Sequence, residues 1–146
     1  MRRLCIGATT LVGALLVLAP VAGAGTTNPC ALITAKDAAK ALGATPAQPK
    51  AKTVAGVRQC TYAVKGKSLV VQTQTAATKA AFAKIAKATP GPTLPVPQVG
   101  DGAYSAANGQ IFLAWDKGVE VTLHFVGVTP FVATQQDLAK TAVGRL

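Results

Sequence analysis

The chain has 146 residues, with 15 lysines and arginines against 5 acidic residues, and a formal net charge of +10. This length suits a single domain. With 1 histidine and 3 cysteines, few side chains are left for zinc binding or acid–base chemistry, so we expect no metal ion, no cofactor and no catalytic residue.

The N-terminal segment has the pattern of a secretory signal peptide. Two arginines precede an apolar run over residues 4–19, and the small residues Ala22 and Ala24 follow it. A signal peptidase accepts small residues at these two positions. We therefore expect residues 1–24 to be removed and residues 25–146 to form one exported α+β domain. An uncleaved membrane anchor is the alternative.

The cysteines become an even pair once this segment is removed. Cys5 lies in the predicted signal peptide, whereas Cys30 and Cys60 remain. In an oxidising compartment such a pair predicts a disulfide bond, which closes a loop of about 30 residues and contributes about 3–4 kcal/mol. Two free buried thiols are the alternative. Because Cys30 does not follow a Leu/Ala/Gly-type lipobox, we expect the protein to be secreted, extracellular and not lipidated.

The remaining residues predict eight elements in the order α-β-β-α-β-β-β-α. A capping box of Thr34 and Asp37 and a left-handed stop at Gly43 indicate the first helix. A period near 3.6 indicates the other helices, and alternating apolar and polar residues indicate strands. The predicted helices and strands are, in chain order, residues 33–43, 58–64, 68–73, 76–88, 104–106, 111–115, 119–125 and a helix opening at Thr134. Residues 44–57 and the proline-rich residues 89–97 are predicted connections. This order predicts an α+β fold, an antiparallel sheet of about five strands with helices on one face.

The last third of the chain predicts a three-stranded meander with one apolar face. The Asn-Gly pair at residues 108–109 is a strong hairpin signal. Ile111, Leu113 and Trp115 alternate along the next strand, and Phe112 falls on the opposite side. Either both faces of the sheet are covered or Phe112 is exposed. An exposed Phe112 beside the proline-rich connection would form a binding edge for a peptide or a lipid, so Phe112 is our candidate binding residue.

Short motifs resemble a group of exported actinobacterial proteins, secreted or lipoproteins, that have no assigned function. Residues 28–34 read Asn-Pro-Cys-Ala-Leu-Ile-Thr, like the (D/N)PCALLT start of that group, and residues 60–62 match its C-x-Y strand. Residues 96–104 are similar to its VPGLGDAAY turn. The resemblance covers nearly all of residues 28–146 and implies an envelope or secreted location and a bond between the two cysteines of these motifs. It implies no activity.

Lysines in the middle of the chain predict a cationic surface. The candidates are Lys65, Lys67, Lys79, Lys84 and Lys87. Such a surface would hold the protein near anionic lipids or wall polymers by screened attraction. A solvated surface that only keeps the protein soluble is the alternative. The chain has little arginine and no run of aromatic residues, so we expect no nucleic-acid partner.

His124 is the residue from which a hydrolase would have to be built. Ser105 and Asp101 supply the residue types that a Ser-His-Asp catalytic triad needs beside His124, but Ser105 does not lie in a nucleophile elbow. We therefore predict a non-enzymatic binding or accessory protein of the cell envelope, a monomer whose partner is an envelope component or a small apolar ligand. Two alternatives stay open. One is electrostatic association through the lysines, and the other is a hydrolase in which His124 meets Ser105 or a carboxylate in a cleft.

Overall fold

A computed structural model describes residues 27–146, and the predicted signal peptide with Cys5 lies outside these residues. The described chain forms four helices and one sheet of seven strands. The helices are α1 (Pro29–Leu32), α2 (Ala35–Leu42), α3 (Lys79–Ala88) and α4 (Val132–Val143). The strands are β1 (Lys50–Val54), β2 (Val57–Val64), β3 (Lys67–Thr75), β4 (Thr93–Pro95), β5 (Gly102–Ala106), β6 (Ile111–Asp116) and β7 (Val119–Val126).

All neighbouring strands are antiparallel, and they lie in the order β1-β2-β3-β7-β6-β5-β4. The predicted α+β class is confirmed, but the prediction of about five strands is wrong. The additional strands β1 and β4 are the two edges of the sheet, and both lie in segments that were predicted as connections. The element order in residues 27–146 is therefore α-α-β-β-β-α-β-β-β-β-α.

Local backbone features explain both edge strands. Ala55 and Gly56 have φ values of 48° and 80°, and they form a two-residue turn that pairs β1 with β2. Such turns match the twist of a hairpin. Pro95 fits in β4 because an edge strand leaves one side of its backbone without a partner, so the missing N–H interrupts no ladder.

The helices cover both faces of the sheet, so the prediction of helices on one face is wrong. One face packs against α1, α2 and α4 and includes Phe112 and Ala114 of β6. The other face packs against α3 and includes Leu113, flanked by Ile111 and Trp115. Strand β6 is apolar on both sides because it lies between two layers of helices.

The disulfide bond between Cys30 and Cys60 is confirmed, with sulfurs 1.99 Å apart. It joins α1 to β2 across the face that α2 also covers. The neighbouring Tyr62 is fully buried, and its hydroxyl donates a hydrogen bond to the Ile33 carbonyl. Burial in this position, more than the nearby Asp37 charge, raises the pKa of Tyr62 to about 12.

The two ends of the described chain meet at α2. The Arg145 guanidinium donates from Nη1 to the Leu32 carbonyl at 2.7 Å and to Asp37 Oδ2 at 2.9 Å. Asp37 also accepts from Thr34 in the predicted capping box. Burial raises the pKa of Asp37, but the hydrogen bonds from Thr34 and Arg145 outweigh it and hold that pKa below its usual value. This ion pair fastens the C-terminus to the first helices.

Helix α4 begins at Val132, two residues before the predicted start at Thr134, and has no side-chain cap. Its position depends instead on Gln135, a fully buried residue in the first turn. Gln135 Nε2 donates to the Gly109 carbonyl at 2.8 Å and to the Pro130 carbonyl at 2.9 Å. These contacts hold α4 against the β5–β6 turn.

Candidate functional site

A groove of about 250 Å³ lies between the C-terminal part of α3 and the sheet. Strands β3 and β7 supply its polar floor, and α3 and β6 supply its apolar wall. It combines the one histidine of the sequence with a buried carboxylate and an apolar surface. We therefore treat it as the candidate site.

The polar floor consists of side chains that alternate along β3 and β7. These are Gln72, Gln74, Glu120, Thr122 and His124. The register places Gln74 opposite Glu120 and Gln72 opposite Thr122. Residues two apart on a strand point to the same face, so these side chains form adjacent rows. The floor therefore offers several hydrogen-bond donors and acceptors within one groove.

Glu120 is the buried polar centre of this floor, with 1% of its surface exposed. Its carboxylate accepts from Gln74 Nε2 at 3.0 Å and from Thr122 Oγ1 at 2.7 Å. Burial raises the pKa of Glu120, and these two hydrogen bonds offset only part of that effect. The carboxylate therefore orders the Gln74 and Thr122 side chains that line the groove.

The apolar wall consists of Ile85, Ala88, Pro90, Ile111 and Leu113. Two of these residues belong to α3 and two to β6, so the wall depends on how α3 is seated on the sheet.

Aromatic contacts hold α3 in place. Phe82 of α3 stacks on Trp115, with ring centroids 6.1 Å apart, and tilts against Tyr104 at 5.5 Å. The Trp115 indole also donates to the Ala76 carbonyl at 2.7 Å, just before the helix. Such aromatic pairs and a satisfied indole N–H stabilise a docked helix. The wall is therefore a preformed surface.

The triad considered from the sequence is not assembled. Ser105 pairs with Phe112 and lies on the α4 side of the sheet, where its hydroxyl donates to the Ala106 carbonyl at 3.4 Å. His124 pairs with Ile111 and lies on the α3 side. Glu120 shares the groove with His124, but four residues of a strand separate their backbones by about 13 Å. His124 and Glu120 therefore line different parts of the groove.

Phe112 does not form the exposed binding edge that was considered, and that prediction is wrong. Its side chain is 0% exposed and belongs to the core under α4. The other alternative, with both faces of the sheet covered, is the one observed. The groove on the other face of the sheet includes Thr89 and Pro90, at the start of the proline-rich connection.

The five candidate lysines do not form one surface, so this prediction also needs correction. Lys67 Nζ donates to the Leu42 carbonyl at 3.4 Å, at the end of α2 on one face of the sheet. Lys79, Lys84 and Lys87 belong to α3, which packs on the other face. The hairpin lysines and the helix lysines are therefore separated by the sheet.

No three His, Cys, Asp or Glu side chains in residues 27–146 are grouped to hold a metal ion. Within the same range, no helix has both the length and the apolar character needed to cross a membrane.

No protein-family model, curated protein or solved structure matches this chain. The geometry of the groove and the rest of the molecular surface are therefore the evidence on function.

The groove floor was not predicted, although the spacing of its polar residues is visible in the sequence. Gln72 and Gln74 are two residues apart, as are Glu120, Thr122 and His124. Such spacing indicates polar side chains on one face of a strand. It does not indicate that β3 and β7 are neighbours, or that a helix overhangs that face. The prediction of helices on one face of the sheet therefore placed no helix over this polar row.

Proposed function

We propose that the protein is an exported, non-enzymatic binding domain of the cell envelope that holds a small amphipathic molecule in the α3 groove. The observation that carries this proposal is the pairing of a polar floor with a preformed apolar wall in one groove. Ligand sites in proteins combine a mainly apolar lining with a few fixed polar groups. The volume lies just below the range of about 300–1,000 Å³ for drug-sized ligands, which favours a small molecule.

The chemistry of the lining favours a ligand with an apolar body and uncharged hydrogen-bonding groups. The Gln72 and Gln74 amides and the Thr122 hydroxyl offer both donors and acceptors. The Glu120 carboxylate is already engaged by two of these groups, and a second anion beside it would be repelled. An amide- or hydroxyl-bearing molecule therefore suits the floor better than a carboxylate or a phosphate.

Binding is favoured over catalysis by the separation of the reactive groups. A nucleophile and its base must come within hydrogen-bond reach, whereas Ser105 and His124 lie on opposite faces of the sheet. A hydrolase that uses His124 would need Glu120 or a group of the ligand within hydrogen-bond distance of the imidazole. The geometry supports the reading in which His124 contacts a ligand at the end of the groove.

The cellular setting belongs to the same proposal. Cleavage after Ala24 would release residues 25–146 as a secreted, unlipidated monomer without a nucleic-acid partner. The Cys30–Cys60 bond supports this setting because disulfides persist in oxidising compartments. The resemblance of residues 28–34 and 60–62 to exported actinobacterial proteins supports it as well.

A fragment titration followed by NMR tests the binding function. The probe is N-benzylacetamide, which has one apolar ring and one amide, and the full chain is expressed and its product labelled with ¹⁵N. A fragment of this size is expected to bind with a Kd of about 1–10 mM. We expect amide shifts to cluster in β3, β7 and α3.

A matched pair of variants locates the site. Ala88→Phe fills the groove from α3 and should weaken binding about tenfold, because the ring occupies the wall on which the probe packs. Ala80→Phe adds the same ring at an exposed position of α3 away from the groove lining and should leave binding unchanged. No shift in these elements, or equal binding by the two variants, would show that the groove is not a ligand site.

A further inference from the structure

The end of the molecule where β7 leads into α4 exposes apolar side chains. Phe131 is 87% exposed and Val132 is 55% exposed. Single exposed apolar residues are common, but two adjacent ones, of which one is a protruding phenylalanine, are typical of a surface that contacts something apolar.

Two lysines lie beside this apolar point. Phe131 lines a depression of about 220 Å³ together with Lys40 of α2 and Lys67 of β3. We call Phe131, Val132, Lys40 and Lys67 the Phe131 patch.

The charges near the Phe131 patch are mostly positive. Asp137 is the acidic residue beside it, in a second depression that also includes Lys40. The first turn of α4 carries no acidic residue and no side-chain cap, so the positive end of the helix dipole is not neutralised there. Two lysines and a helix N-terminus against one carboxylate make this end of the molecule attractive to anions.

We infer that the Phe131 patch docks the protein on an anionic lipid bilayer, with Phe131 and Val132 entering the interface and the lysines meeting the head groups. Apolar side chains at the tip and lysines around them are the combination that binds an anionic membrane surface. A second copy of the chain would bring lysines against lysines. An anionic polymer would leave the Phe131 ring exposed to water. This docking face is independent of the α3 groove.

Vesicle sedimentation tests this inference on the purified product of the full chain. Vesicles of equal parts phosphatidylglycerol and phosphatidylcholine are compared with vesicles of phosphatidylcholine alone, at about 0.1 M and about 1 M salt. We expect binding to the anionic vesicles at low salt, weaker binding at high salt, and little binding to the zwitterionic vesicles.

Matched variants separate the apolar and the electrostatic contributions to vesicle binding. Phe131→Ser should weaken binding by about tenfold, since it removes the ring that enters the interface, and Leu94→Ser, at a 61% exposed residue of β4, should not. Lys40→Gln should weaken binding by about fivefold, whereas Lys87→Gln on α3 should not. Tryptophan fluorescence gives a direct measurement of insertion. The emission of the Phe131→Trp variant should shift to the blue when anionic vesicles are added, because the indole enters the interface. The emission of Leu94→Trp should not shift.

Three results would overturn the inference. One is the absence of binding to anionic vesicles, and another is Phe131→Ser binding as tightly as the wild type, which would leave only electrostatic attraction. The third is capture by a soluble polyanion such as dextran sulfate without capture by vesicles, which would point to a wall polymer as the partner.

Discussion

The double substitution Cys30→Ala and Cys60→Ala tests how far the disulfide bond stabilises the domain. The two cysteines are 30 residues apart, so the bond closes a loop that contains α1, α2 and β1. In the chain-entropy model, cross-linking this loop destabilises the unfolded state by about 3.6 kcal/mol at 25 °C. A typical domain is stable by about 5–15 kcal/mol. The bond is therefore expected to supply a large share of the free energy of unfolding.

The assay is urea unfolding at 25 °C followed by circular dichroism, with linear extrapolation to water. Alanine is the replacement of choice because Cys60 is fully buried, where a serine hydroxyl would need a partner. We expect the double variant to lose about 3–4 kcal/mol, and the reduced wild type to lose a similar amount. Cys5→Ala is the matched control and should not change stability, since Cys5 belongs to the predicted signal peptide.

A loss below about 1 kcal/mol would refute this reasoning, because it would mean that the helices hold the loop closed without the bond. Equal stability of the oxidised and reduced wild type would have the same meaning. An effect of Cys5→Ala would show that the third cysteine remains in the protein and takes part in pairing.

Two further predictions concern buried polar groups. Tyr62→Phe removes the donor to the Ile33 carbonyl and should lower the free energy of unfolding by about 1–3 kcal/mol in the same urea assay. Tyr104→Phe keeps the ring that packs on Phe82 and should lower the free energy of unfolding clearly less. Burial raises the pKa of Glu120, so its contribution to stability is fully present below the unfolded pKa of about 4.3 and is lost as the pH rises through the folded pKa. Urea titrations should therefore show the wild type losing stability relative to Glu120→Gln between pH 4 and pH 7. Equal costs for the two tyrosine variants would contradict the first prediction, and a pH-independent difference would contradict the second.

Interactions between residues close in sequence could be predicted well. The capping box of Thr34 and Asp37 and the left-handed stop at Gly43, with φ 75°, are present as expected. The hairpins at residues 65–66 and 117–118 also follow from local turn chemistry. These features depend on a few neighbouring residues, so their physical causes are all visible in the sequence.

The edge strands could not be predicted from their own residues. Lys50–Val54 is exposed along its whole length, so it shows no alternation of apolar and polar side chains. Thr93–Pro95 contains a proline that would interrupt a central strand. Both strands exist because a neighbouring strand offers free backbone groups, and that neighbour is known only once the sheet has formed.

The placement of α3 accounts for most of the errors about function. A helix on the second face of the sheet buries Ile111 and Leu113 there and leaves Phe112 in the core under α4. The amphipathic pattern of α3 shows that it packs against something, and it does not show which face of the sheet it covers. The Phe112 edge and the single lysine surface were both predicted without that information.

The pairing of Cys30 with Cys60, the α+β class and the capping box of α2 could be predicted from the sequence, because cysteine number, residue periodicity and short-range hydrogen bonds are properties of the chain alone. Which strands are neighbours and which face each helix covers could be seen only in the folded structure. These choices depend on contacts between residues far apart in sequence, such as Gln74 with Glu120 and Phe82 with Trp115. The α3 groove and the Phe131 patch are both made by such contacts, and for that reason neither was visible in the sequence.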